Sequence, residues 1–140
     1  MLGTLRPLIV LAFLAATAGC SKSPFELVKV SGSVKYTDGT IPEGAVRVVR
    51  FEPLADAEGN VSPRAAAGYL EPDGTFQLAT LRPRDGAIPG EYKPVLLFWK
   101  SPTTRESVVP QAYGKAATTP LPTLSVRSGE ANHFDLAIEK

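Results

Sequence analysis

Val30-Ser-Gly-Ser-Val-Lys-Tyr36, followed at once by Thr37-Asp38-Gly39-Thr40, decides how the rest of the chain is read. With Val28 ahead of it, the run places Val28, Val30, Gly32, Val34 and Tyr36 on one parity and Lys29, Ser31, Ser33 and Lys35 on the other. That period of two belongs to a half-buried strand, apolar toward a core and polar toward water. Gly32 in mid-run predicts a bulge or the close approach of another backbone. Asp38-Gly39 accepts the positive φ of a tight turn, so a hairpin is expected there. Pro42-Glu43-Gly44 extends that turn before the next run.

Further along, turn signals and short apolar runs keep alternating. In Ala45 to Phe51 the apolar phase slips, Val46 and Val48 on one parity and Val49 and Phe51 on the other. A β-bulge or burial on both faces would account for it. A polar loop, 52–64, leads to a second expected hairpin, Ala65–Leu70 and Thr75–Thr80, closed by Glu71-Pro72-Asp73-Gly74. Proline presets φ at the second position of such a turn, and Asp-Gly suits its exit. Arg82 to Gly86 reads as a surface loop and Pro89-Gly90 as a turn. Glu91 to Trp99 carries apolar residues on both parities, which suggests a strand covered on both sides or one whose outer face meets something. Pro94 within it cannot donate to a ladder, which favours an edge or a bulge.

Residues 101–122 carry four prolines and read as loop, with a short strand at Val108–Tyr113. So long an irregular stretch is usually functional or mobile. Thr123–Arg127 and Asn132–Glu139 close the chain as two alternating runs around Ser128-Gly129-Glu130. The count is about seven strands separated by turns, with no helix expected after residue 19. An all-β sandwich of two sheets follows.

The first residues have a different character. Arg6 is basic, no acid occurs before Glu26, and Leu8 to Gly19 is an apolar run of twelve. An export signal has this basic start, apolar middle and small-residue exit. The run is short of the roughly 20 residues that cross a bilayer as a helix. Thr17-Ala18-Gly19-Cys20 resembles the lipobox of bacterial lipoproteins, with Thr17 where leucine is commonest. The resemblance implies cleavage between Gly19 and Cys20 and a diacylglyceryl thioether on the Cys20 sulfur. The alternative is an ordinary secretory signal cut near Ala18 or Gly19, leaving a free thiol. The expected organisation is a signal peptide at 1–19, a lipidated cysteine and short tether at 20–26, and one domain at 27–140.

Composition narrows the partners. Removing the signal leaves about 120 residues, enough for one core. Without Arg6 the fifteen Lys and Arg become fourteen, against fourteen Asp and Glu. Such balance argues against nucleic acid or an anionic surface as a partner, since both want a concentrated positive field. With Cys20 taken by lipid no disulfide is available, so packing alone must hold the fold.

Chemistry-bearing residues are few. His133, the only histidine, falls with Asp135 on the polar parity of the last run. A serine-protease-like triad would need a positioned nucleophile and an oxyanion hole, and no Gly-x-Ser-x-Gly elbow is present. His133 therefore reads as a solvated surface residue, and zinc is disfavoured because its sites want several His or Cys. Asp56, Glu58 and Asn60 offer oxygens for calcium, but their order fits no known loop. No cofactor is expected. Trp99 and Tyr113 form a possible ligand or partner patch, set against core filling as the competing account.

Several of these residues together resemble a known family. Val30 to Tyr36, Asp38-Gly39, Pro42-Glu-Gly-Ala-Val46 and Phe51-Glu-Pro53 are similar to the start of the carboxypeptidase regulatory-like, or transthyretin-like, domain. Asp73-Gly-Thr-Phe76 and Pro89-Gly-Glu-Tyr-Lys93 are similar to its later turns. Leu124-Ser-Val126 with Asn132-His-Phe-Asp-Leu136 resembles the close of small bacterial lipoproteins that carry such a domain alone. The resemblance implies a seven-stranded Greek-key sandwich, immunoglobulin-like in architecture, with no catalytic residues. The expected function is a non-enzymatic, membrane-anchored lipoprotein making structural or protein contacts in the bacterial cell envelope. It would sit on the outer side of the cytoplasmic membrane or on the outer membrane. The alternative is a carbohydrate-binding module that uses the exposed aromatics.

Overall fold

The structure, a computed structural model, describes Gly3 and residues 25–56, 58–61 and 63–140. The alternation that opens the domain becomes β1, Val30–Tyr36, with Val30, Gly32 and Val34 buried. Six further strands follow among the described residues: β2 Val46–Pro53, β3 Ala66–Tyr69, β4 Thr75–Gln77, β5 Gly90–Trp99, β6 Leu124–Val126 and β7 Asn132–Ile138. They form two sheets, ordered β4-β1-β7 and β3-β2-β5-β6. All pairings are antiparallel except β1 with β7, which run parallel over their full length. The chain is all-β.

Both expected hairpins need correction. The turn at Asp38-Gly39 forms, with Gly39 at φ 86° and its N–H on the Tyr36 carbonyl. It does not pair its flanking strands, because β1 lies in the three-stranded sheet and β2 in the four-stranded one. The Glu71–Gly74 turn likewise forms, and Ala67 and Ala79 exchange both backbone hydrogen bonds below it. Between those points the arms part, β3 joining β2 and β4 joining β1. This hairpin thus closes one side of the two-sheet stack.

The other side is closed by the proline-rich stretch. β6 pairs with β5 only from Gly90 to Tyr92, so the rest of β5 is an edge on that side. Pro94 sits just past the last β6 partner, where its missing N–H costs no ladder bond. Residues 107–121 cover the exposed edge and bury Val109, Tyr113, Thr119 and Leu121. No strand forms at 108–113; a single 3-10 turn, Gln111–Gly114, stands there instead, entered from Pro110. Through Val109, Tyr113 and Leu121 the segment completes the core.

Between the sheets, Phe51 is the centre. Its ring lies 6.1 Å from Phe76, 6.0 Å from Tyr92 and 5.9 Å from Phe134, so it touches both sheets. Gly32 makes room for this cluster. A β-carbon there would lie 2.0 Å from the Phe134 carbonyl oxygen and 2.6 Å from the Phe76 ring. The mid-run glycine thus marks close backbone approach, and no bulge. Because backbone and a packed ring both resist displacement, Gly32→Ala is expected to cost about 1–3 kcal/mol. A urea titration of the variant reads this as a lowered midpoint at constant slope.

The strand directions sort the loops into two ends. At one end lie the entering segment 25–29, the loops 54–65 and 78–89, and the turn 127–131. At the opposite end lie the 37–45 loop, the Glu71–Gly74 turn and the C-terminal Lys140. Val28 is bridged to Ala87 at the first end, and Glu26 bonds Ser128 there.

Candidate functional site

The phase slip in β2 leads to the site. The register of β2 on β5 runs without interruption from Val46↔Trp99 to Pro53↔Tyr92, so no bulge exists. Val49 and Phe51 point into the core, whereas Val46 and Val48 are half-buried on the outer face. Direct cross-strand partners share a face. Tyr69, Val48 and Leu97 therefore form one row across β3, β2 and β5, and Val46 with Trp99 forms the next. Leu97 is half-buried and Tyr69 is 74 % exposed. The outer face of the four-stranded sheet thus carries an apolar stripe that ends on an open tyrosine.

Beside Tyr69 the parting of β3 from β4 leaves a groove of about 790 Å³. Val48, Ala67, Tyr69 and Gln77 line one stretch of it, and Leu81, Arg82, Pro83 and Arg84 line the end nearest the chain's entry. The loop carrying those four is built by Asp85. Its carboxylate accepts the N–H groups of Thr80 at 2.7 Å, Leu81 at 3.0 Å and Arg82 at 2.7 Å. Partial burial of Asp85 would by itself raise its pKa, but those three donors outweigh it and the carboxyl titrates below its ordinary range. A carboxyl lowered in the folded state stabilises above its unfolded pKa, and that contribution is lost as pH falls through the folded value. Asp85→Ala orphans three N–H groups at the rim. It is expected to cost about 1–2 kcal/mol and to speed proteolytic nicking at 81–84. The stability gap to the parent should shrink in acid below about pH 4.

Trp99 lies on the stripe, half-buried, with the Arg105 guanidinium 5.5 Å from its ring centre. Its backbone is bridged to Ser107. Tyr113 is elsewhere: it is 5 % exposed, and its hydroxyl accepts the Glu139 N–H at 2.9 Å. The possible two-ring patch is thus not assembled, and Tyr113 follows the competing account by joining the buried core. Cys20 and Gly19 lie outside the described residues.

His133 is placed with more company than the sequence suggested. Its Nδ1 lies 3.0 Å from the Ser31 hydroxyl and its Nε2 3.0 Å from the Asp135 carboxylate, which also accepts from Ser33 at 2.7 Å. The Ser33 hydroxyl leads the causes that lower the Asp135 pKa. Ser31↔His133 and Ser33↔Asp135 are register partners of the parallel pair β1 and β7. The side chains of His133 and Asp135 are 55 % and 70 % exposed on the open face of the sheet, where water competes for every contact. The array reads as a cross-strand clamp on register. The Asp56 carboxylate, for its part, is spent on the N–H groups of Glu58 at 3.0 Å and Asn60 at 2.8 Å, so it builds its own loop. Among the described residues no three of His, Cys, Asp or Glu gather as a metal site.

Tyr69 and the Leu81–Arg84 tip were the parts missed from sequence. Tyr69 has a usable signal, since it is the large apolar residue at the end of a run otherwise made of Ala and Gly. No family model, no curated protein and no solved structure matches this chain.

Proposed function

We propose that the chain is a membrane-anchored bacterial lipoprotein whose β-sandwich serves as a docking module for another envelope protein. In finer detail the sandwich is proposed to be of the Greek-key, transthyretin-like kind. The anchor reading rests on Thr17-Ala18-Gly19-Cys20 closing the apolar run that begins at Leu8. The observation that carries the docking reading is the apolar stripe of Tyr69, Val48 and Leu97, with Val46 and Trp99 beside it. A half-buried apolar row on a sheet face that ends on an exposed tyrosine is the kind of surface partners cover. Docking of a protein fits it better than binding of a sugar, because Tyr113 is buried and Trp99 is left as a single, partly covered ring.

Two measurements test the proposal. Mass spectrometry of the mature N-terminus should find Cys20 first and acylated; a chain beginning elsewhere, or a free thiol, removes the anchor. A photocrosslinker at position 69 should capture one defined envelope protein, and the same group at exposed Lys35 on the other sheet, away from the groove, should not. Equal, diffuse labelling from both positions would remove the docking face.

A further inference from the structure

The entry end of the sandwich carries a basic, apolar-tipped loop, and we propose that Leu81-Arg82-Pro83-Arg84 lies against an anionic lipid surface. The inference rests on the anchor at Cys20 proposed above. Phe25 is already packed on the domain, with the Arg64 guanidinium 5.9 Å from its ring centre. Only residues 21–24 then separate the lipidated cysteine from Phe25, five steps along the chain and a reach of about 17 Å at 3.3–3.6 Å per residue. The end that holds Phe25 is therefore held at the lipid surface, and 78–89 is one of the loops at that end.

The chain's overall charge balance points away from an anionic surface, but this loop gathers its cations locally, and its chemistry suits that position. Among the described residues the exposed large apolar side chains are Val61, Tyr69 and Leu81, and Val61 and Leu81 both lie on entry-end loops, at 55 % and 42 % exposure. Leu81 is followed by Arg82 and Arg84, and the Lys29 ammonium joins them by bonding the Arg84 carbonyl. The one acid of this loop, Asp85, has its carboxylate turned onto backbone N–H groups. The other acids of this end, Glu26, Asp56, Glu58 and Glu130, sit on the other segments. An interfacial contact combines an apolar wedge with cations at headgroup level.

The tip is also held in shape. Arg84 adopts φ 58°, in the left-handed region that a side chain disfavours. Gly86 follows at φ 97°, where a β-carbon would lie 1.8 Å from the Val28 carbonyl oxygen. A backbone kept in so unfavourable a conformation by its surroundings marks a loop whose form matters.

The test uses the mature, acylated chain reconstituted in phosphatidylcholine vesicles with and without phosphatidylglycerol. One introduced cysteine carries a fluorophore, Pro83→Cys at the tip or Glu43→Cys at the opposite end, and nitroxide-labelled lipids quench it. Quenching is expected at position 83 and not at 43, stronger with phosphatidylglycerol and weaker as salt shortens the Debye length. Each basic side chain near an anionic surface is worth about fivefold. Arg82→Gln with Arg84→Gln should thus lower the ratio of surface-facing to free orientations about 25-fold. A chain that floats with the vesicles but is quenched equally at both positions, or is indifferent to the arginine pair, overturns the inference and leaves the anchor standing. A chain that does not float overturns the anchor and this inference with it.

Discussion

Phe51→Ala is expected to lower stability by about 3–5 kcal/mol, the range for emptying a fully buried aromatic site. Phe51 has no exposed surface and meets Phe76, Tyr92 and Phe134 at ring-centre distances of 5.9 to 6.1 Å. Two of those rings, Phe76 and Phe134, belong to the opposite sheet, so the cavity opens at the seam between sheets. Aromatic pairs contribute about 0.5–1.5 kcal/mol each beyond burial, which places this site toward the upper end. Collapse around the hole is resisted because Gly32 already brings the β1 backbone against Phe76 and Phe134. Small domains have about 5–15 kcal/mol in hand, so the variant should melt some 12–25 °C lower by the usual scaling. Differential scanning calorimetry checks it. A fall of only a few degrees would mean that the two sheets are held together elsewhere. Phe51→Leu keeps most of the volume and should recover more than half of the loss.

Much of this core was legible because its signals are local. Val30, Gly32 and Val34 alternate within seven residues, and the strand they predict is β1. Asp38-Gly39 and Asp73-Gly74 marked real turns, with φ of 86° and 85° at their glycines. What such dipeptides do not encode is the sheet that the next strand joins. That choice is made by contacts far apart in sequence, such as Gly32 against Phe134 and Val48 against Leu97. The β2 phase slip has the same lesson. Val46 and Val48 are half-buried on the outer face while the β2–β5 register runs unbroken, so of the two readings open from sequence the structure has burial on both faces. At 108–113 the expected strand gives way to a 3-10 turn, whose buried Tyr113 accepts the Glu139 N–H beyond β7 of the three-stranded sheet. Of the two accounts the sequence left for Tyr113, a surface patch and core filling, the buried ring follows core filling. Tyr69 and the Leu81 tip escaped notice because exposure, unlike alternation, has no period.

A chain made to begin at Ser21 behind an ordinary secretory signal is expected to leave the membrane fraction almost completely, while the parent stays in it. The magnitudes decide this. Each buried methylene contributes about 0.8 kcal/mol, so two chains of roughly 15 methylenes supply on the order of 20 kcal/mol. The basic tip offers about 1 kcal/mol for each of Lys29, Arg82 and Arg84 near an anionic surface, and less as salt rises. Together with one half-exposed leucine, that is too little to retain a protein through a salt wash, but enough to orient one that is already tethered. The body itself should be unharmed, since its buried apolar core is drawn from Val30 to Ile138. Its melting transition should match that of the detergent-solubilised parent. If the Ser21 chain still pellets with membranes after washing in high salt, then acyl chains are not what holds the protein. A hydrophobic face of the sandwich, with the Tyr69 stripe the first to be mutated, would then have to supply the attachment.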